Sequence, residues 1–155
     1  MLKVTRVLAL LGTVALLVAV ALTVTDIALR SVSRLTVPGL TDIVTLCTMI
    51  GAMLAIPYGF AADEHVSVDL FTSGLPETVQ RLLAVAAAVM AVVVLAGVLW
   101  FSYQQMLTEI QYGDRSQSIG IPMVWYWLPL LIGMAASLAV NLWLIVRLST
   151  GRNTG

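Results

Sequence analysis

The side chains that could carry out chemistry are few in this sequence. The chain has a single histidine, His65, and a single cysteine, Cys47, among 155 residues. His65 and Asp69 are four residues apart, so a helix would place them on one face near Asp63 and Glu64. This is a weak pattern for metal ligands. We predict no metal site, because a loop whose polar groups cap helices and contact a partner explains the same residues.

Sequence motifs of common catalytic sites are also missing. The chain has no G-x-S-x-G motif, no Cys–His arrangement, no phosphate-binding loop and no glycine-rich nucleotide turn. A haem-binding anchor would need histidines within its membrane spans, whereas the one histidine lies between apolar runs. Net charge is zero and no basic tract suggests a nucleic-acid partner. We therefore predict a protein that is not an enzyme and that binds no cofactor.

Charged side chains lie near the ends of the apolar runs. Asp26, Asp42 and Glu109 all have such positions. An ion-coupled carrier usually keeps an ionisable group at mid-depth, because charge there is costly and is retained for function. Transport by this chain alone is therefore not expected. Asp26 and Arg30 are four residues apart and can pair on one helix face, and we predict that Asn141, inside the last run, bonds to another helix.

The composition indicates a membrane protein. Hydrophobic residues make up 60% of the chain, charged residues 10%, and the mean hydropathy is +1.00, whereas soluble domains carry about 25% charged residues. The first apolar run is longer than the roughly 7–15 apolar residues typical of a signal peptide, so we read it as an uncleaved span. We predict an all-α integral membrane protein, one domain over residues 1–155, with four transmembrane helices at approximately 7–29, 40–62, 79–107 and 122–148.

Basic residues beside the spans predict the orientation. Cytoplasmic loops carry an excess of lysine and arginine. Four spans place both termini on one side, which has five flanking basic residues against three on the other. Both termini are therefore predicted to be cytoplasmic. The five are Lys3, Arg6, Arg81, Arg147 and Arg152, and the three are Arg30, Arg34 and Arg115.

Two features of the spans predict how they pack. Pro57 removes the backbone donor that would bond the carbonyl of Met53, so neighbouring groups must compensate within the membrane. Gly133 and Ser137 form a small-xxx-small step, which lets helices approach closely.

Three stretches of sequence, taken in order, carry a family resemblance across nearly the whole chain. They are residues 39–42 at the start of the second span, HVSVDL at 65–70, and SIGIPMVWYWLPL at 118–130. The chain resembles the DctQ-type small membrane subunit of tripartite ATP-independent periplasmic (TRAP) transporters. In that family a short L-G-I-P lead precedes aromatic residues and a second proline, and the matching residues here are Gly120, Pro122, Trp125 and Pro129.

The second stretch fits a pattern of this family, and two positions depart from it. His65 and Asp69 fit the pattern H-[IV]-x-V-D. Glutamate is common in the family where Asp42 stands, and basic residues often precede the histidine where residues 63 and 64 are acidic here. The resemblance makes Asp42, the two residues of the second stretch and the four of the third candidates for contact with a partner.

The resemblance implies a role in solute uptake across the bacterial inner membrane. It implies a complex with a large DctM-type membrane subunit, which carries the substrate and sodium sites, and with a periplasmic solute-binding protein. The small subunit would brace the large one in the lipid bilayer during sodium-driven uptake of an organic acid or related solute. Asp114 and Arg115, in the polar segment 109–120, are candidates for docking the binding protein.

An alternative function is a self-sufficient, homo-oligomeric small exporter of four helices. Such a protein is expected to carry a carboxylate embedded in an early span. The carboxylates of this chain lie near span ends instead, so the scaffold interpretation is favoured.

Overall fold

The computed structural model describes residues 2–33, 35–62 and 76–149. These residues form four long helices, α1 (Leu2–Ser33), α2 (Leu40–Ala62), α3 (Glu77–Tyr112) and α4 (Val124–Ser149). Each contains a segment long and apolar enough to cross a membrane. The predicted all-α, multi-pass membrane fold is therefore confirmed.

The helices pack in a row rather than as a closed bundle. Helix α1 packs against α2, α2 against α4, and α4 against α3, and no other pair within the described residues forms an extended interface. Helices α2 and α4 are thus inner helices, and α1 and α3 are outer ones. Large apolar side chains are exposed along both outer helices. In a membrane these faces contact lipid or another membrane protein.

Small residues make the contact between α1 and α2. Thr5, Gly12, Ala19 and Asp26 are buried at intervals of seven residues along α1. This interval of two helical turns keeps one seam of α1 against its neighbour. A Cβ atom added to Gly12 would lie 2.8 Å from the carbonyl oxygen of Gly51 in α2, so the close approach requires glycine.

The small-xxx-small step of α4 permits a close approach of helices, as predicted, and the structure shows that the neighbouring helix is α2. A Cβ atom on Gly133 would collide with the backbone of Met53 in α2, and Ser137, one turn later, is fully buried. The prediction for Asn141 was wrong. Its Nδ2 donates to the carbonyl of Ser137, 3.0 Å away in the same helix, because that carbonyl lies one turn back and within reach.

One end of the row, here named the loop end, gathers the connections 35–39 and 113–123. Here the last turns of α1 and α3 meet the first turns of α2 and α4. Three side-chain hydrogen bonds show this arrangement: Asp26 with Val37, Asp42 with Ser116, and Glu109 with Trp127. The predicted topology places the loop end in the periplasm.

Helix α3 is longer than the apolar run that suggested it. It continues to Tyr112 and ends where Gly113 adopts φ +69°, with the amides of 113 and 114 bonded back to the carbonyls of Ile110 and Glu109. Glu109 is therefore helical, and the connection covers 113–123. Helix α4 begins at Val124 instead of at the proline two residues earlier, because that proline belongs to the connection.

Candidate functional site

Asp42 is the centre of a hydrogen-bond network at the loop end. It lies in the first turn of α2 and is 7% exposed. Its Oδ2 atom accepts bonds from Ser116 Oγ at 2.6 Å, from Ser118 N at 3.1 Å and from Ile119 N at 2.8 Å. Hydrogen bonds to a carboxylate are stronger than those between neutral groups. Asp42 therefore fixes the 113–123 connection to the start of α2.

The backbone of Asp42 also joins α2 to α4. The hydroxyl of Tyr126 donates to the Asp42 carbonyl at 3.1 Å, and Tyr126 is buried. The acidic side chain suits the first turn of a helix, where backbone dipoles favour negative charge. One residue thus links three segments of the chain, which are α2, the connection and α4.

The 113–123 connection is itself a small hairpin. Ser116 N donates to Ile121 O at 2.8 Å, Ile121 N donates to Ser116 Oγ at 2.8 Å, and Arg115 pairs with Pro122 in an antiparallel bridge. Gly120 has φ +71°, a conformation that L side chains rarely adopt. The G-I-P part of the family motif is therefore explained by this turn.

Glycine is also required where the hairpin meets α2. Gly39, immediately before α2, has φ +71°, and a Cβ atom there would collide with the Ile119 side chain. The hairpin tip therefore packs directly on the backbone that begins α2.

Glu109 joins α3 to α4 at the same end. Its Oε2 accepts a 2.6 Å hydrogen bond from Trp127 Nε1, and its Oε1 accepts a longer one, 3.3 Å, from Gln105. Indole nitrogens usually find such a partner when they are largely buried. This bond orients one member of the aromatic cluster at the start of α4.

Asp26 holds the short connection between α1 and α2. It is 3% exposed and accepts a 2.8 Å bond from Arg30, which confirms the predicted pair. It also accepts a 2.7 Å bond from the amide of Val37, a contact that the spacing of charges did not predict. The amide bond ties the entry to α2 onto α1.

A pocket of about 500 Å³ opens beside these networks, and we name it the loop-end pocket. Residues of α2, the end of α3, the hairpin and α4 line it. Its polar rim and apolar floor are formed by Thr41, Asp42, Thr45, Met49, Glu109, Arg115, Ser116, Gln117, Ser118, Met123, Tyr126, Trp127 and Leu130.

The structure brings together some of the predicted site residues and separates others. Asp42, Gly120 and Pro122 belong to the network around the hairpin, whereas Trp125 is 56% exposed on the outside of α4. Pro129 is buried within α4. The predictions for His65 and Asp69 concern residues outside the described ranges. Within the described part of the chain, no group of three or more His, Cys, Asp or Glu residues could hold a metal ion.

Three residues of the loop-end networks were not among the predicted site residues. They are Ser116, Tyr126 and Trp127, all close in sequence to the recognised motif. One signal was available in the sequence. Asp42 and Glu109 are acidic residues at the ends of apolar runs, and the segment around the motif is rich in hydroxyl and indole donors that could bond to them. Only the three-dimensional structure shows which donor bonds to which carboxylate.

Residues 19–151 match the family described as Tripartite ATP-independent periplasmic transporters, DctQ component. No curated protein and no solved structure shows a significant match to the chain. The matched range contains the C-terminal half of α1, from residue 19, all of the other three helices and every residue of the loop-end networks. The resemblance found in the sequence is therefore confirmed, and the chain belongs to the DctQ family, the small inner-membrane component of TRAP transporters.

Proposed function

We propose that this chain is a non-catalytic scaffold subunit, which braces a large DctM-type subunit. The transporter would use a sodium gradient to take up an organic acid or a related small solute, which a periplasmic binding protein delivers. The observation that carries this proposal is that the buried polar groups of the described residues are engaged in holding the chain's own helices and turns together.

The two buried carboxylates illustrate this point. Asp26 is occupied by Arg30 and by a backbone amide, and Asp42 by one hydroxyl and two backbone amides. A carboxylate that binds a transported ion must instead exchange its partners during each cycle. The geometry supports a structural role for both residues.

Polar groups deeper in the membrane are used in the same way. Ser137 Oγ donates to Gly133 O at 2.8 Å, and Asn141 Nδ2 donates to the Ser137 carbonyl. Every buried side-chain nitrogen or oxygen atom in the described residues has a hydrogen-bond partner. These groups stabilise α4, the helix that holds α2 and α3 together.

The row of helices also suits a scaffold. Its outer helices present long apolar surfaces, such as Leu10, Leu17 and Val20 of α1, which are 58%, 63% and 61% exposed. Joining such a surface to a second membrane protein would enlarge the part of the transporter that stays fixed while a carrier domain moves.

The hairpin supports a second element of the proposal. Asp114 and Arg115 are exposed at the loop end, where they can contact a soluble binding protein if that end is periplasmic. We place the docking contact there.

Uptake by reconstituted components tests the proposal. Proteoliposomes would contain the large subunit with or without this chain, and a third sample would contain this chain alone, each with the binding protein and a sodium gradient. Uptake that requires both membrane subunits is the expected result. Uptake by this chain alone, or undiminished uptake by the large subunit alone, would contradict it.

Docking is tested separately in the complete transporter. Replacing Asp114 with lysine is expected to raise the KM for the loaded binding protein while kcat stays within about twofold, because a surface charge acts mainly on encounter. The matched control is Gln111→Lys, an exposed position one turn earlier in α3. Equal effects of the two substitutions would contradict docking through the hairpin.

A further inference from the structure

We infer that the loop-end pocket binds the headgroup of a zwitterionic phospholipid with a primary ammonium, of the phosphatidylethanolamine type. The inference concerns lipid binding and goes beyond the scaffold role. It stands on the depth of the pocket, on the two opposite charges at its rim and on its apolar floor.

We infer the depth of the pocket from the ends of the spans and from nearby aromatic residues, which favour the level where lipid headgroups meet hydrocarbon. Its rim includes Thr41 in the first turn of α2 and Glu109 in the last turn of α3. Trp127 lines it, and the exposed Trp125 lies on the same turn of α4, as aromatic side chains do at membrane interfaces. Met49, which also lines the pocket, is about 12 Å farther along α2 at 1.5 Å per residue.

Three charged side chains line the pocket, the cation Arg115 and the carboxylates Glu109 and Asp42. Arg115 is exposed and makes a single long contact, 3.4 Å, to the carbonyl of Gly120, although a guanidinium has five donors. Glu109 accepts one short bond and one long bond, although a carboxylate has about four acceptor sites. Asp42 also lines the pocket, but three donors already occupy its Oδ2 atom.

This pair of charges complements a phosphate and an ammonium on one ligand. The guanidinium suits the phosphate, which it can bind through two parallel hydrogen bonds. The carboxylate suits an ammonium that still carries hydrogen atoms to donate, which a quaternary ammonium does not. Thr41 and Thr45 add exposed hydroxyl groups on the α2 side.

The floor of the pocket indicates a lipid rather than a water-soluble zwitterion. Met49, Met123 and Leu130 line it, and such side chains bind the glycerol end of acyl chains better than they bind a small polar solute. The volume of about 500 Å³ accommodates a headgroup with its glycerol unit.

Native mass spectrometry of the transporter complex tests this inference. Delipidated complex would be titrated with short-chain phosphatidylethanolamine, phosphatidylcholine and phosphatidylglycerol. We expect phosphatidylethanolamine to bind about tenfold more tightly than the other two, since one charge-assisted hydrogen bond accounts for about that factor. Equal affinity for all three lipids would overturn the inference.

Substitutions of the charged rim residues test whether the lipid binds at the pocket. Glu109→Gln keeps an oxygen to accept the Trp127 bond but removes the charge, so it is expected to abolish the preference over phosphatidylcholine. Arg115→Gln is expected to weaken the binding of all three lipids. Arg115→Lys is expected to retain part of the affinity that Arg115→Gln loses. Asp114→Asn is the matched control, because Asp114 shares the hairpin but does not line the pocket. An equal loss in the control would overturn the assignment.

Two further experiments distinguish a bound lipid from a soluble zwitterion and from a segment of the large subunit. Water-soluble glycerophosphoethanolamine is expected to compete at least about a hundredfold more weakly than the lipid, because it lacks the apolar part. Competition at similar concentrations would identify a soluble zwitterion instead. If the chain purified alone binds the lipid with this preference and the complex does not, a segment of the large subunit fills the pocket and the inference is wrong.

Discussion

The backbone of Gly133 in α4 lies directly against the carbonyl oxygen of Met53 in α2. This carbonyl lacks its usual helical donor, because the residue four positions later is Pro57, which is fully buried. A glycine Cα–H beside such an oxygen is a recurring contact between helices. The proline and the glycine, 76 positions apart in the sequence, therefore form one packing feature.

Replacing Gly133 with alanine is expected to destabilise the protein by about 1–3 kcal/mol, because the added methyl group forces backbones apart. The unfolding midpoint in detergent micelles measures this. Gly97→Ala is the control, since a Cβ atom there meets nothing within 4 Å. That substitution is expected to leave the midpoint unchanged or raise it, and equal losses at both sites would contradict the packing argument.

Asp42→Ala is expected to release the hairpin. Three donors would lose their acceptor, so amide hydrogen exchange at Ser118 and Ile119 should accelerate at least about tenfold, in line with a loss of charge-assisted bonds. Hydrogen exchange resolved by mass spectrometry measures this. Asp114→Asn serves as the control and should leave these amides protected; unchanged protection in Asp42→Ala would contradict the network.

Substitutions of Asp26 can measure separately how much its ion pair and its hydrogen bond to a backbone amide contribute to stability. Asp26→Asn retains an oxygen for the Val37 amide and loses the charge facing Arg30, whose side chain is 63% exposed. Because Arg30 stays solvated without the pair and a buried carboxylate carries a desolvation cost that asparagine avoids, the asparagine variant should unfold close to the wild-type midpoint. Asp26→Ala should unfold clearly earlier, and identical midpoints for the two variants would contradict this division.

Trp127→Phe removes the donor to Glu109 while keeping an aromatic ring. The expected loss is about 1.5 kcal/mol, typical of a hydrogen bond to a charged group. Unfolding in micelles measures it. In a double-mutant cycle with Glu109→Ala, which removes the acceptor, the two losses should not add, and simple additivity would show that the two side chains do not interact.

The sequence predicted the membrane fold well, because hydropathy over long runs depends on composition and not on neighbours. It also predicted the Asp26–Arg30 pair and the small step at Gly133, which are local patterns of four residues. The order of helices in the row was not predictable in this way. That order depends on which helix faces with small residues can pack closely together, such as the faces that contain Gly12 and Gly51.

The candidate site was predicted only in part. Asp42 was identified from its place in the family pattern, but its partners lie more than 70 positions away, as Ser116 does. Asn141 shows the opposite error, since a polar residue in a span was expected to reach another helix and instead bonds one turn back in its own. Long-range partners depend on packing geometry, which spacing along one helix does not contain.

The length of α3 has a consequence for its position in the membrane. At 1.5 Å per residue, its 36 residues extend about 54 Å, against a hydrocarbon layer of about 30 Å. To lie wholly within that layer the helix would have to tilt by roughly 56°, beyond the range of about 0–40° seen for membrane helices. Even at the upper limit of tilt, about 15 Å of α3, measured along its axis, lies outside the hydrocarbon, so nearly three turns of this helix project into the headgroups or water, at one or both ends, as a rigid spacer.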